Sequence, residues 1–503
     1  MKKDFTSGIL FLISFFLFVD CSAQSFNNKQ GNTWYFGYKA GLDFNTVPPT
    51  LLYDGQSGTD TTNFWCPVFQ ETTTSISDSS GSLICYASGA SIWNKNHQII
   101  QNGDGLLGAQ DAPCLLLPIP ASKKMFCLVT LDDQNDTLRK GLRYNIIDMC
   151  LDSGRGAVVS GKKNLLLHGL MTLKLCATKH SNGNDYWILT HQWATDAFYA
   201  YHLSNSGITD SIVSHIGMVH DSDTYSSTFV GLAGGRMKFS PDGHKIALMV
   251  KGNYFELFDF NSSTGVVSNC IHDYDSIWIT HGASSLEFSP NNQYLYISFG
   301  GSWRKIIQYD LFAGSGNPDS ILQSKKILST FPYLISGLQL APDGKIYACN
   351  TNNNNTILGI INYPDLPDSF YNFVDSIIDF GTNHTTYGSL PNFISGFNYD
   401  NGLVDCSEQP HDFINENIEK NNFIIYPNPA SSELTIISSQ QSINTIAVFD
   451  LMGKTVASFG FGASGSLNLK SKIINLKSLS PGVYFIKLQL HDGSLEVRRF
   501  VKE

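Results

Sequence analysis

The stretch Met237–Asp259 (MKFSPDGHKIALMVKGNYFELFD) recurs as Leu286–Asp310 (LEFSPNNQYLYISFGGSWRKIIQYD) and, more loosely, as Leu338–Tyr363 (LQLAPDGKIYACNTNNNNTILGIINY). Each copy has a short apolar strand, a turn of Ser-Pro-Asp-Gly, Ser-Pro-Asn-Asn or Ala-Pro-Asp-Gly, an alternating strand, a polar gap and a third strand. Proline presets φ for the first turn position and the Asp-Gly or Asn-Asn pair tolerates the remaining angles, so the chain reverses there. Phe239 and Phe288 lie 49 residues apart, and Phe288 and Leu340 lie 52 apart. A period of that size built wholly of strands predicts propeller blades, because one small sheet needs neighbours to bury its two faces.

The copies resemble the FSPDG-type blades of WD-repeat-like bacterial β-propellers, although the Gly-His and Trp-Asp marks of true WD repeats are missing. Such a resemblance implies architecture only, since propellers host hydrolases, lyases, lectin-like binders and scaffolds. Strand sets are expected near Cys66–Trp93, Ala112–Val159, Met171–Ser206, Leu232–Cys270, Gly282–Leu322 and Leu334–Phe380. The leftover Thr33–Tyr53 and Gly388–Tyr399 would combine into a further blade, with Trp34–Phe44 and Pro391–Asn398 sharing one sheet and removing the open edges. About seven blades are expected over residues 24–400, with six or eight as alternatives.

The chain has 503 residues, of which 42% are hydrophobic and only 15% charged, so more than one domain is expected and an extracellular all-β class fits. Residues 1–23 read as a secretory signal: Lys2 and Lys3, an apolar run from Gly8 to Val19, and a small-residue cleavage site between Ala23 and Gln24. No later stretch reaches the ~18 apolar residues of a membrane span. The formal charge of −10, with no basic stripe, argues against nucleic acid as a partner.

Nine cysteines remain after the signal, with no Cys-x-x-Cys pair. Most sit in apolar strands such as LICYA and IYACN, where a free cysteine acts as a small buried hydrophobe. A bridge between Cys114 and Cys127, across the hairpin that joins them, is the alternative.

Gly103–Gly108 spells G-x-G-x-x-G, but in a polar loop with no helix after it to hold pyrophosphate on its first amides. Gly156–Lys162 approaches a phosphate-binding loop, yet Lys163 stands where a Ser or Thr must hold Mg²⁺. His215, His220, Asp221 and Asp223 form one cluster, and Asp132, Asp133 and Asp136 another. Either is a candidate for Ca²⁺ or for a pair of glycosidase carboxylates, but neither has a calcium-loop spacing, and solvated loops are the simpler reading. No metal or cofactor is otherwise implied, and neither a Gly-x-Ser-x-Gly elbow nor a His-Glu-x-x-His helix occurs.

Asn32–Asn45 (NTWYFGYKAGLDFN) and Ser91–Gly108 (SIWNKNHQIIQNGDGLLG) resemble segments of large secreted or surface-displayed proteins from gliding bacteria that use type IX secretion. Residues 401–422 lose the repeat, gain acidic and amide residues and read as a linker. From Phe423 the character changes: eight Lys/Arg against five Asp/Glu leave the tail at +3 and the rest at −13.

That tail carries Tyr426-Pro427-Asn428-Pro429 before the alternating strand SSELTIIS, then IAVFDLMGK with Gly453 and Lys454 at its turn. INLKSLSPGVYFIKL comes next with Pro481, Gly482, Val483 and Tyr484, and the chain closes on RRFVKE with Arg499 and Lys502. In that order these segments resemble the type A C-terminal sorting domain of the type IX secretion system. The resemblance implies that the secretion translocon reads the tail, and that the chain ends outside the cell, either released or bound to the surface. Period-2 strands and turns at Met452-Gly453 and Ser480-Pro481-Gly482 predict a seven-stranded β-sandwich on their own account.

Three functions then stand open for the N-terminal region. A non-catalytic propeller binding a glycan or a protein comes first, since the loops are rich in Trp, Tyr, Asn and Asp without a reactive constellation. A secreted glycan-active enzyme is second, and would need two carboxylates about 5–10 Å apart in the central funnel. A structural part of an adhesive or gliding surface is third.

Overall fold

The repeated turns close as their composition requires. In the first, Ser240 Oγ donates to Asp242 Oδ1 (2.5 Å), the amides of His244 and Lys245 return to Asp242 Oδ1 and Ser240 Oγ, and Gly243 takes φ +74°. In the second, Asn291 accepts from Ser289 Oγ and from the Gln293 amide, with Asn292 at φ +64°. In the third, Gly344 holds φ +77° and Asp343 caps the Lys345 amide. Short polar side chains bonding the backbone two residues on fix each reversal, so these strands pair without slippage.

The computed structural model describes residues 28–56, 72–110, 112–132, 138, 140–221, 233–250, 254–273, 283–299, 304–330, 334–351, 356–367, 370–386, 388–397, 399, 402–407, 423–426, 430–438, 443–450, 453–460, 471–490 and 495–502. The expected cleavage site Ala23–Gln24 and most of the expected linker lie outside them. The chain is all-β, built of many small antiparallel sheets, with helix confined to short segments such as Pro318–Gln323. Among the described residues no helix is long and apolar enough to cross a membrane.

Among the described residues, seven sheets succeed one another between Thr33 and Asp379. The first holds Thr33–Phe36, Ala40–Asp43 and Thr50–Leu52; the second holds Thr73–Ser77, Leu83–Ser88 and Ile92–Asn94. The third spans Cys114–Pro118 to Leu165–His168, and the fourth Met171–Lys179 to Gly207–His215. The fifth runs from Gly235–Phe239 to Val266–Asp273, the sixth from Ala283–Phe288 to Lys326–Thr330, and the seventh from Leu334–Leu340 to Phe373–Asp379. Six of these answer the six expected strand sets. Two outer strands went unforeseen: Gly207–His215 lies just past the expected end at Ser206, and Lys326–Thr330 lies past Leu322, where a helix capped by Asn317 intervenes.

The first strands of successive sheets lie side by side from the second sheet to the seventh, and Thr33–Phe36 of the first sheet packs on Thr73–Ser77 of the second. First and last sheets also meet. Trp34, fully buried, packs edge-on against Tyr347 (5.8 Å between ring centroids), Phe44 against Tyr347 (5.2 Å) and Phe36 against Phe380 (5.8 Å).

The expected pairing of Pro391–Asn398 with Trp34–Phe44 needs correction. Among the described residues, the bridge between the two ends of the seven-sheet region is Tyr38 with Thr385, and residues 391–397 form no strand. Proline at 391 lacks a donor, and Gly396 and Phe397 sit at φ +62° and +52°, which breaks any ladder. This segment instead runs across the space between the first strands. The Asn392 amide donates to the Thr73 carbonyl (2.8 Å), its side chain to the Leu175 carbonyl (3.2 Å), and Ser395 Oγ to Thr178 Oγ1 (2.9 Å). Phe397 packs on Gly31, where a Cβ would collide with its ring.

The tail forms two antiparallel sheets. Phe423–Tyr426, Glu433–Ser438 and Ser471–Asn475 make a three-stranded one; Thr455–Gly460, Ile443–Asp450, Gly482–Leu490 and Leu495–Lys502 make a four-stranded one. Leu434, Ile436 and Ile474 from the first join Ile446, Val448, Tyr484, Ile486, Leu488 and Phe500 from the second in one buried cluster. The alternation along each strand is the period-2 pattern of the sequence.

Candidate functional site

The tail's sequence-separated motifs converge at one end of its four-stranded sheet. Tyr484 pairs with Asp450 on one side and with Phe500 on the other, and Gly482 and Val483 pair with Lys502 and Val501. Ala430, next after Pro429, bridges Lys502, and its amide donates to the Val501 carbonyl (2.8 Å). Tyr426 pairs with Thr435; Pro427, Asn428 and Pro429 lie outside the described residues.

Within this end the residues divide by role. Tyr484 is buried, donates its hydroxyl to the Ser480 carbonyl (2.8 Å) and stacks on Phe500. Gly453 sits at φ +79° so that Asp450 can accept from the Gly453 and Lys454 amides. Lys502 is buried, whereas Lys454, Pro481, Gly482 and Arg499 are exposed. Lys454 and Arg499 are thus exposed on a frame held by Tyr484 and Gly453.

The space between the first strands of the seven sheets holds a second constellation. Lys238 Nζ donates to Glu287 Oε2 (2.6 Å), Gln339 Oε1 (2.6 Å) and the Leu338 carbonyl (3.3 Å), tying the fifth, sixth and seventh sheets. Glu287 also accepts the Leu340 and Phe288 amides, so a buried ion pair is fully coordinated. These side chains and residues 392–397 line a small cleft.

Between the fourth and fifth sheets lie Lys174, His191, His220 and Glu256, all with 0% exposure. The two imidazoles stack with ring centroids 3.9 Å apart and planes 25° apart. No ring nitrogen of either meets hydrogen-bond geometry, although the Gln192 backbone beside His191 favours its charged form. His220 Nε2 stands 3.5 Å from an equally unbonded Glu256 Oε2. Lys174 Nζ donates to the Ala233 and Gly234 carbonyls. Burial pushes the Lys174 ammonium down to about 7, against the pull of Glu256. Burial pushes the Glu256 carboxyl up to about 7, opposed by the Met218 amide, the Cys270 thiol and Lys174. Both histidines fall well below their ordinary range, through burial first, then through Lys174 for His191 and through His191 and Lys174 for His220.

The sequence-derived acidic and histidine clusters do not assemble. His215 faces outward and pairs with Asp196 (2.7 Å), His220 turns inward, Asp221 is exposed, and Asp223 lies outside the described residues. Asp132 is buried, accepting from the Lys140 amide, while Asp133 and Asp136 lie outside the described residues. Among the described residues no group of three His, Cys, Asp or Glu is placed to hold a metal ion. His191, Lys174 and Glu256 were missed because they come from separate strands; the available signal was a charged residue at an apolar strand's inward position, as in MTLKLCATK and YFELFDFN.

Gly103–Gly108 is an irregular loop and Gly156–Lys162 a short strand and turn, so neither forms a phosphate cradle. Cys114 and Cys127 are buried and free, standing opposite Thr130 and Leu117 in their hairpin rather than opposite each other. The bridge that does form joins Cys150 to Cys406, a residue of the expected linker.

Comparison with known proteins adds a family for the tail. Residues 424–503 match the model of the secretion system C-terminal sorting domain. No curated protein matches the chain. Similar solved structures include a candidate 6-phosphogluconolactonase from Bacteroides fragilis, 12% identical, with a TM-score of 0.42 over 71% of this chain and 96% of its own. A second such candidate, from Bacteroides uniformis, is 12% identical with a TM-score of 0.43 over 71% and 98%. The β-propeller domain of Cps50 (Swd1) from Myceliophteria thermophila is 10% identical with a TM-score of 0.38 over 66% and 93%. At these values the likenesses carry no argument about activity. Over residues 424–503 the chain ends in a C-terminal sorting domain of the type IX secretion system.

Proposed function

We propose that this is a surface or released protein exported by the type IX system, whose residues 24–400 form a closed seven-bladed propeller that binds a glycan or a protein without turning it over. The sorting domain carries the export half of this reading: four motif segments meet at one sheet end and present Lys454 and Arg499 outward. Seven consecutive small sheets, with the first packed on both the second and the last, support the closed ring. Two sheets sharing one apolar cluster support a sandwich for the tail. Binding without catalysis is supported by Glu287, whose carboxylate is engaged internally by Lys238 and two backbone amides. A glycan-active enzyme is the alternative, with a structural role in an adhesive or gliding layer behind it; Ca²⁺ at Asp132 or near His215 belongs to neither.

Truncation before Asn422 tests export. The shortened chain should fold and stay in the periplasm, while a reporter fused to residues 421–503 should leave the cell. Normal surface amounts of the truncated chain would refute the sorting role. A glycan array run beside reducing-sugar release separates binder from enzyme, and sugar release abolished by one carboxylate substitution would favour the enzyme.

A further inference from the structure

The short segment Ile216–Asp221 crosses the end of the fourth sheet and is held on two sides. Its Ile216 and His220 amides donate to the Asp196 and Thr195 carbonyls, and the Ala194 amide donates to the His220 carbonyl. From the fifth sheet, Glu256 Oε1 accepts the Met218 amide at 2.9 Å. The only side chain that this strap sends inward with full burial is His220, and it lands face to face on His191.

Stacked rings only 25° from parallel send their in-plane lone pairs along nearly parallel planes, so the pair does not converge on one metal ion. Nor does either ring nitrogen reach a partner at hydrogen-bond geometry. A buried imidazole in that position is tolerated only while neutral, because charging it without a counter-contact is costly. The groups facing the pair are Lys174 from the first strand of the fourth sheet, Glu256 and Tyr254 from the fifth sheet, Cys270 behind Glu256, and the exposed Asp221 beside His220. Lys174 stands against a second positive charge, and Glu256, 3.5 Å from His220 Nε2, offers a counter-charge only while ionised, which burial opposes at acid pH.

We propose that the His191–His220 stack is an acid-sensitive latch that holds the Ile216–Asp221 strap closed between the fourth and fifth sheets and releases it when the imidazoles take up protons. Linkage sets the sign. Each histidine sits below its ordinary value of about 6.5 when the strap is closed, so the closed state loses stability as pH falls below 6.5. Glu256, raised to about 7, works the other way: below 7 the closed state holds its proton more tightly than the open one, down to about 4.5. Lys174, lowered to about 7, is charged in both states below that and adds no slope there. Two imidazoles against one carboxyl leave acid favouring the open state, so the open fraction should rise as pH falls below 6.5, by at most about tenfold per pH unit.

Amide hydrogen exchange of the full mature chain, read as protection factors for residues 216–221 and 186–192 across that range, measures the opening. The wild type should lose protection on acidification, by up to about tenfold per pH unit. His191→Phe with His220→Phe keeps a stacked pair without the protons, and should reverse the slope, because Glu256 alone remains. Glu256→Gln should steepen it, to at most about a hundredfold per unit, which decides the matter if the double variant does not fold. His180→Asn with His202→Asn, at a second imidazole pair 5.0 Å apart beside Trp187, should leave the slope unchanged. Protection that is flat with pH in the wild type, or a slope unaltered by Glu256→Gln, overturns the latch.

Discussion

Replacing Lys238 with Met tests whether the ring is held from its inside. The side chain is 7% exposed and its ammonium meets three acceptors on two other sheets, so Met restores the stem but none of the three bonds. Glu287, 4% exposed, keeps the Leu340 and Phe288 amides but loses its only positive partner among the described residues. Breaking one side of such a buried pair costs about 3–5 kcal/mol, most of it the uncompensated charge left behind. At ~4 kcal/mol the unfolding constant rises about a thousandfold. Adding Glu287→Gln removes that charge, so the double variant should recover more than half of the loss. All seven tryptophans precede residue 304, so tryptophan fluorescence in urea reports on the seven-sheet region and not on the tail. A Lys238→Met variant within ~1 kcal/mol of wild type, or strict additivity in the double variant, would refute the reasoning.

Two further outcomes are expected. Gly453→Ala should destabilise the tail by about 1–2 kcal/mol, since nothing lies within 4 Å of the added Cβ and the cost is that of φ +79° alone; Gly453→Asn should recover much of it, measured by melting of the tail and by reporter export. Cys150→Ser should lower the stability of the seven-sheet region by up to roughly 5 kcal/mol on the chain-entropy account, given the 256-residue separation from Cys406. A reducing agent should then shift the urea midpoint of the wild type but not of the variant.

The range of each interaction decides whether the sequence discloses it. The fifth, sixth and seventh sheets were legible because each turn is written in contiguous residues, Ser240–Gly243 and its two counterparts, and is closed by bonds between positions at most five apart. The tail's motifs were legible for the same reason. The strand Gly207–His215 was overlooked because its polar outer residues blur the alternation, and Lys326–Thr330 because a capped helix precedes it. The path of residues 391–397 depends on acceptors more than two hundred positions away, such as Leu175 and Thr178, which no local pattern encodes. The His191–His220 stack draws two rings from different elements, with Lys174 and Glu256 supplied by two sheets, so its residue types were visible and its meeting was not.

The disulfide's position separates the fate of the seven-sheet region from that of the tail once the chain is exported. Thr385 bridges Tyr38, Asn392 bonds Thr73, the Tyr399 carbonyl accepts from Asn28, and Cys406 is joined to Cys150. All of these contacts lie before residue 408, and the tail's first strand begins at Phe423. A cut between Cys406 and Phe423 would therefore leave every one of them in place. A clamp at Cys406 also shields residues 388–397 from any pull on the tail during transit, because tension applied at residue 423 passes into the third sheet through Cys150 before it reaches Asn392. The ends of the seven-sheet region are thus locked to each other by contacts that all precede the tail.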